Sequence, residues 1–194
     1  MAGRVSPFVP TPWRVVREAL RVADVKPGEL VCDLGCGDGR FLVAAARDFG
    51  ARAVGVEIRK DLIEKALFNA FKSRVAGLVK VLHGDFLSME LPRANVVTLY
   101  QLTSLNRLLA PRLSCQLPKG ARVVSVDFRI PGWIPMKKLT VLDEESTKRK
   151  YDLYLYVVGL SDGLCKASGR GAEELQRIVL RSPRRSFLLA REHR

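Results

Sequence analysis

Short, almost wholly apolar runs alternate with longer amphipathic stretches along most of the chain. Leu30 to Leu34, Ala53 to Ile58, Leu78 to Leu82, Ala94 to Leu99 and Ala121 to Phe128 carry few polar residues. That pattern predicts strands buried on both faces. Between them, apolar residues return at helical spacing. Trp13, Val16, Leu20 and Ala23 share one predicted face, after a Thr11 expected to cap the helix and a Pro12 expected at its first position. Phe41 to Ala46 opens a second helix that ends near Gly50, a residue suited to a left-handed terminus. Asp61 to Val75 predicts a third, with Leu62, Ala66, Phe68 and Val75 among its apolar positions. A fourth runs from a Thr103 or Ser104 cap to about Leu113. Lys138 to Leu142 and Tyr151 to Val158, joined by the charged stretch Asp143 to Lys150, read as a hairpin. Strands alternating with helices and closed by a hairpin predict a doubly wound α/β sheet with one antiparallel strand near an edge.

The two ends depart from this rhythm. Pro7-Phe8-Val9-Pro10-Thr11-Pro12 is too rich in proline for a helix or central strand and reads as a stiff extended segment, either a plain arm or a lid over a ligand site. From Ser161 onward, Gly163, Gly169 and Gly171 break the chain, Ala172 to Leu180 reads as a short helix, and Arg181-Ser182-Pro183-Arg184-Arg185 is basic. Residues 1–160 are therefore expected to form the domain, with 1–12 as its proline-rich lid. Residues 161–194 form a basic extension, either a solvated tail or one that docks substrates or polyanions.

Composition narrows the class. A chain of 194 residues suits one domain with its own core. No apolar run approaches the ~20 residues that cross a bilayer, and Met1 to Pro7 lacks the apolar core of a signal peptide, so a cytoplasmic protein is expected. The excess of 33 basic over 20 acidic residues, a net charge of +13, predicts attraction to nucleic acids or acidic surfaces. Four cysteines (32, 36, 115 and 165) without a Cys-x-x-Cys pair, and histidines only at 83 and 193, argue against a zinc centre. Cys32 and Cys36 read as small, buried, reduced side chains, and His83 as a strand-end residue without catalytic work.

The chemistry concentrates in Val31-Cys32-Asp33-Leu34-Gly35-Cys36-Gly37-Asp38-Gly39-Arg40. An apolar strand, glycines at alternate positions and a helix start open a nucleotide-binding unit, in which the helix supplies unpaired N–H donors. Arg40 stands where the dinucleotide fingerprint has its third glycine, and a long side chain there is expected to spoil close helix–strand packing. Asp33 and Asp38 would repel a pyrophosphate. They suit a ligand with an ammonium and a sulfonium group, and S-adenosyl-L-methionine has both. Glu57, at the end of the next strand, is placed to accept from ribose hydroxyls. Asp85 can accept from an adenine amino group, and Phe86 can cover the ring. The candidate cofactor set is Pro10, Thr11, Asp33, Gly35, Cys36, Gly37, Asp38, Gly39, Glu57, Ile58, Asp85, Phe86 and Tyr100.

Asp33-Leu34-Gly35-Cys36-Gly37-Asp38-Gly39 resembles motif I of the class I S-adenosylmethionine-dependent methyltransferases. The resemblance implies a Rossmann-like, seven-stranded, mostly parallel sheet with one antiparallel strand and helices on both faces. It implies a glycine loop holding the methionine part, Glu57 the ribose, and Asp85-Phe86 the adenine. A narrower resemblance covers about residues 7–159. The proline segment, Asp33 to Arg40, Ala53 to Ile58, Val97-Thr98-Leu99-Tyr100-Gln101-Leu102-Thr103, Gly132-Trp133 and Tyr154-Leu155-Tyr156-Val157 together look like the archaeal broad-specificity protein lysine methyltransferases. These are related to the mitochondrial lysine methyltransferases of the ATP synthase c-subunit. The segment beyond Ser161 has no counterpart in that resemblance.

The reaction implied is in-line attack on the sulfonium methyl carbon, which needs reactants aligned about 3 Å apart but no metal. Tyr100 is the first candidate for an acceptor-side hydrogen-bond partner, and Asp127 and Trp133 for positioning the amine. Leu99-Tyr100-Gln101-Leu102 replaces the Asn/Asp-Pro-Pro-aromatic clamp that enzymes acting on planar amino groups commonly use, which favours an alkyl amine of a protein lysine. Two rivals stand beside this reading: an RNA methyltransferase, motivated by the positive charge, and a non-catalytic module that binds cofactor or nucleic acid.

Overall fold

The computed structural model describes residues 8–163. The expected behaviour of the basic extension therefore lies, from residue 164 on, outside the described residues, as does Pro7. Seven strands are present: β1 (Leu30–Leu34), β2 (Arg52–Glu57), β3 (Val79–His83), β4 (Val96–Leu99), β5 (Arg122–Val126), β6 (Lys137–Leu142) and β7 (Lys150–Val157). The helices are α1 (Trp13–Val22), α2 (Arg40–Phe49), α3 (Lys60–Lys72) and α4 (Thr103–Gln116).

The sheet order is β3-β2-β1-β4-β5-β7-β6. β1 to β5 run parallel, and β7 lies antiparallel between β5 and β6. The order reverses between β1 and β4. In parallel sheets, ligands bind outside the carboxyl ends of strands at such a switch point.

Strand pleating divides the core in two. Val31, Ala53, Val96, Val124 and Leu153 pack with Val16, Leu20, Leu42 and Ala45 of α1 and α2. Cys32, Leu34, Val97, Leu99, Val123 and Tyr156 pack on the other side with Leu109 and Leu113 of α4, and with Trp133. The strand expectations agree with these elements to within two residues.

Helix starts are where local signals mislead. Thr11 makes no capping bond; α1 begins after Pro12, and the Thr11 carbonyl accepts from Arg40 Nη1 at 2.9 Å. Neither Thr103 nor Ser104 caps α4, which follows Leu102 instead, the Leu102 carbonyl taking the Leu105 and Asn106 amides. Trp13 does not join the buried face of α1, which is Val15, Val16, Ala19 and Leu20. Its ring lies outside, 5.7 Å from the Arg40 guanidinium and 5.5 Å from that of Arg47. Phe68 of α3 is likewise exposed. Gly50 does adopt the expected left-handed conformation at the end of α2.

Candidate active site

At the carboxyl end of β1 the chain turns through Gly35, Gly37 and Gly39, all with positive φ, a region glycine enters without steric cost. The loop is pinned on three sides. Gly35 and Cys36 N–H groups donate to the Val56 carbonyl of β2 at 2.8 and 3.1 Å. Gly37 N–H donates to Glu57 Oε2 at 2.9 Å, and Asn69 of α3 donates to the Asp38 carbonyl at 2.8 Å. Glycine is needed for room as well as for torsion. A Cβ on Gly39 would sit 2.9 Å from Ala66, on Gly37 2.5 Å from the Phe8 ring, and on Gly35 2.2 Å from Gln101 Nε2.

One cleft runs across these strand ends. Its lining includes Pro10, Thr11, Asp33, Gly35, Cys36, Gly37, Asp38, Glu57, Ile58, Asp85, Phe86 and Tyr100, so it brings together the expected cofactor set except Gly39. Gly39 lies behind the loop, against α3. Trp133 is not brought to the cleft. It is 8% exposed and packs edge-on to Tyr156 in the core beneath α4. Its isolation as an aromatic in a Gly-Pro-rich loop gave no hint of that partner.

The site's acids differ in state. Asp33 is buried, faces Thr98 across the β1–β4 pair, and accepts that hydroxyl at 2.7 Å. Burial, aided by the nearby Glu57 and Asp38 charges, pushes its carboxyl up to about 7 despite the Thr98 bond. A cationic group brought into the cleft would restore its charge. Glu57 accepts from the Gly37 amide, and its Oε1 accepts from the Ile58 and Arg59 amides at 2.9 and 3.0 Å. These amides use about three of the carboxylate's four lone-pair sites. It is thus held rigid with room for one further strong bond, less than the two hydroxyls expected of it. Asp85 accepts from Leu87 N–H at 2.8 Å through Oδ1, leaving Oδ2 for a ligand donor.

Several cleft residues carried no clear sequence signal. Gln101, buried, donates to the Leu34 carbonyl at 3.0 Å and covers Gly35. Arg112 of α4 bonds the Phe86 and Met89 carbonyls, holding the loop that presents Asp85 and Phe86. Arg40 does not spoil the packing around the loop. The close contacts there are made by Gly39 on Ala66 and by Gly55, where a Cβ would meet Cys36 Sγ at 2.4 Å. Arg40 reaches outward to Asp38, its Nε 3.1 Å from Oδ2, and to the Thr11 carbonyl.

Two of the three acceptor-side candidates, Tyr100 and Asp127, meet beside the cleft, which Tyr100 lines. Tyr100 donates its hydroxyl proton to Asp127 Oδ2 at 3.0 Å. Burial and the Asp127 charge push the phenol up to about 12, so it stays protonated at neutral pH. His83 lies aside, its Nε2 3.1 Å from the Ile58 carbonyl. Among the described residues no group of three or more His, Cys, Asp or Glu side chains forms a metal centre.

Residues 33–137, the segment carrying this cleft from Asp33 onward, match the model of the ANTKMT methyltransferase domain. The chain belongs to this methyltransferase family. A protein-lysine N-methyltransferase of Saccharolobus islandicus is 44% identical over 154 residues, covering 79% of this chain and 94% of that protein. The mouse lysine N-methyltransferase of the ATP synthase c-subunit is 32% identical over 129 residues, covering 66% of this chain and 51% of that protein. Among solved structures, an RNA methyltransferase of Salinibacter ruber in complex with S-adenosylhomocysteine superposes with a TM-score of 0.70 at 43% identity, covering 77% of this chain and 94% of that one. The methyltransferase thus has relatives bearing both a lysine and an RNA designation. S-adenosyl-L-methionine is its cofactor, and the buried acids and side-chain-backed glycines of the cleft fit a ligand with cationic groups and no phosphate.

Proposed function

We propose that this methyltransferase transfers methyl groups to the side-chain amine of lysine in proteins. The observation that carries the proposal is the Tyr100–Asp127 pair at the edge of the cofactor cleft. Because the phenol proton points to Asp127, the tyrosine oxygen presents lone pairs to an incoming donor. A carboxylate behind it favours a cation. An alkylammonium meets both demands; a planar nucleobase amine would ask for a flat clamp instead. The 44% identical archaeal protein-lysine N-methyltransferase supports the same reading.

When bound, the cofactor supplies a methyl carbon activated by a sulfonium. On this reading, Glu57 holds the ribose, Asp85 and Phe86 the adenine, and Asp33 with Asp38 the ammonium end. Pro10 and Thr11 close the cleft from above, with Phe8 laid against Gly37. The substrate amine must lose a proton to expose its lone pair, since lysine titrates near 10.4 in water. Tyr100 holds its own proton too firmly to serve as the base that takes it. Its part is to orient the amine, while desolvation and the adjacent sulfonium lower the amine's affinity for its proton.

The second reading, methylation of RNA, is favoured by the Salinibacter ruber relative and the +13 net charge. Both are tested at once by incubating the protein with methyl-labelled S-adenosylmethionine and a cell extract, with RNase or protease added afterwards. Label removed by protease and mapped to lysine is expected. Label removed by RNase and absent from lysine overturns the proposal.

A further inference from the structure

Three groups converge on the Asp127 carboxylate, and they are not held alike. Asp127 has a φ of +60°, a left-handed conformation that aspartate tolerates at some cost. Its N–H donates to the Asp152 carbonyl at 2.7 Å, and its Oδ1 accepts from the Asp152 N–H at 3.1 Å. Backbone and side chain are thereby tied to β7, and the carboxylate cannot swing to follow a partner. On Oδ2 sit the Tyr100 hydroxyl and the Arg149 guanidinium. Tyr100 directly follows β4 and is half-buried. Arg149 lies in the connection between β6 and β7, with its side chain 51% exposed against 15% for Asp127. Among the described residues its guanidinium has no other hydrogen-bond partner; it lies 4.2 Å from the centroid of the Tyr151 ring.

A cation on a flexible apolar stem thus already rests on the oxygen beside the tyrosine that would orient the substrate amine. We propose that Arg149 is a self-supplied stand-in for the substrate lysine. It neutralises Asp127 while no substrate is bound and yields the position when the lysine enters, its half-exposed side chain swinging outward into solvent. The exchange replaces one ion pair with another, so Asp127 is never left half-buried and alone. Residue chemistry fits this role. A guanidinium keeps its charge at any working pH and spreads its nitrogen lone pairs over the planar group, so it does not compete as a methyl acceptor as a lysine there would. The turn that presents it is itself fixed: the Asp143 carboxylate accepts from the Ser146 and Thr147 hydroxyls at 2.7 and 2.8 Å, and the Asp143 N–H donates to the Arg149 carbonyl at 3.0 Å. Only the side chain beyond the turn has to move. The proposal rests on the lysine reading given above.

The experiment is steady-state kinetics on the lysine-bearing protein found by the labelling experiment, with cofactor saturating. Arg149→Met and Arg149→Gln both keep a stem without the charge, so a folding defect in one leaves the other. The uncharged variants are expected to lower KM for that protein by about twofold to fivefold, the size of a partly exposed ion-pair competition. The same variants should leave kcat and S-adenosylhomocysteine affinity within about twofold, while Arg149→Lys should retain the wild-type KM. An unchanged or raised KM, or a fall in kcat, in the uncharged variants overturns the stand-in role. The lysine reading fails separately, by label in RNA.

Discussion

Asp33 is the residue whose chemistry depends most on what surrounds it. An unfolded aspartate titrates near 3.9, whereas burial raises this one to about 7. Between those values the native state holds a proton that the unfolded state has released. Its contribution therefore favours folding at low pH and is lost as pH rises through that window. Asp33→Asn should accordingly melt higher than wild type at pH 8 without ligand, with the difference vanishing near pH 4, as read by calorimetry. Ligand binding carries the opposite sign, because a cationic cofactor needs the ionised form. Affinity for S-adenosylhomocysteine should strengthen as pH rises through about 7 in the wild type. In Asp33→Asn it should be flat and weaker by about tenfold to a hundredfold, the worth of a charged hydrogen bond. Equal pH slopes in titration calorimetry would remove Asp33 from the ammonium site. Asp33 stood out in the sequence because it ends an apolar run before the glycines. Its raised pKa did not, because that follows from burial among the packed strands, with Glu57 and Asp38 brought near it from the next strand and the loop, against the opposing bond from Thr98.

Among the elements, the proline segment and the glycine loop act as a pair. Arg40 joins them, its guanidinium shared between Asp38 and the Thr11 carbonyl and laid by the Trp13 ring. Arg40→Ala should loosen residues 8–12, speeding proteolytic cleavage there and weakening cofactor binding by about tenfold. Overall melting should fall by little, since α1 is anchored by Val15, Val16, Ala19 and Leu20. Unchanged cofactor dissociation in stopped-flow measurements would show that the segment is an arm and not a lid. In sequence, Arg40 looked like a defect in a dinucleotide fingerprint. Its use becomes visible only when α1, which starts at Trp13, packs alongside α2. The helix starts illustrate the converse. Thr11, Thr103 and Ser104 are good capping residues, yet Pro12 and Leu102 hold the cap positions of α1 and α4, and the Thr11 carbonyl is taken by a tertiary bond to Arg40.

For the molecule as a whole, the cleft joins the ends of β1, β2 and β4 to the segment before α1, so filling it should stabilise the entire domain. S-adenosylhomocysteine at about a hundredfold its Kd adds about 2.7 kcal/mol by mass action. For a chain of this size that raises Tm by roughly 5–10 °C. Glu57→Ala, which strips the Gly37, Ile58 and Arg59 amides of their acceptor, should abolish most of that shift at the same ligand concentration. A full shift in the variant would count against Glu57 as the ribose partner.

The sequence by itself determined the order and type of the elements, the position of the switch-point loop and the nature of the methyl donor. Apolar period, glycine spacing and strand-end acids are local properties, and each survives being read one residue at a time. Tertiary structure decided how the acceptor side is built. Tyr100, Asp127, Arg149 and Asp152 come from the end of β4, the end of β5, the hairpin turn and β7, and no spacing in the chain relates them. They meet because β7 inserts antiparallel beside β5 and carries the turn back to the cleft. The same insertion brings Tyr156 against Trp133 in the core. A hydrogen bond across 27 residues, such as that from Tyr100 to Asp127, exists only once the sheet has brought its strand ends together.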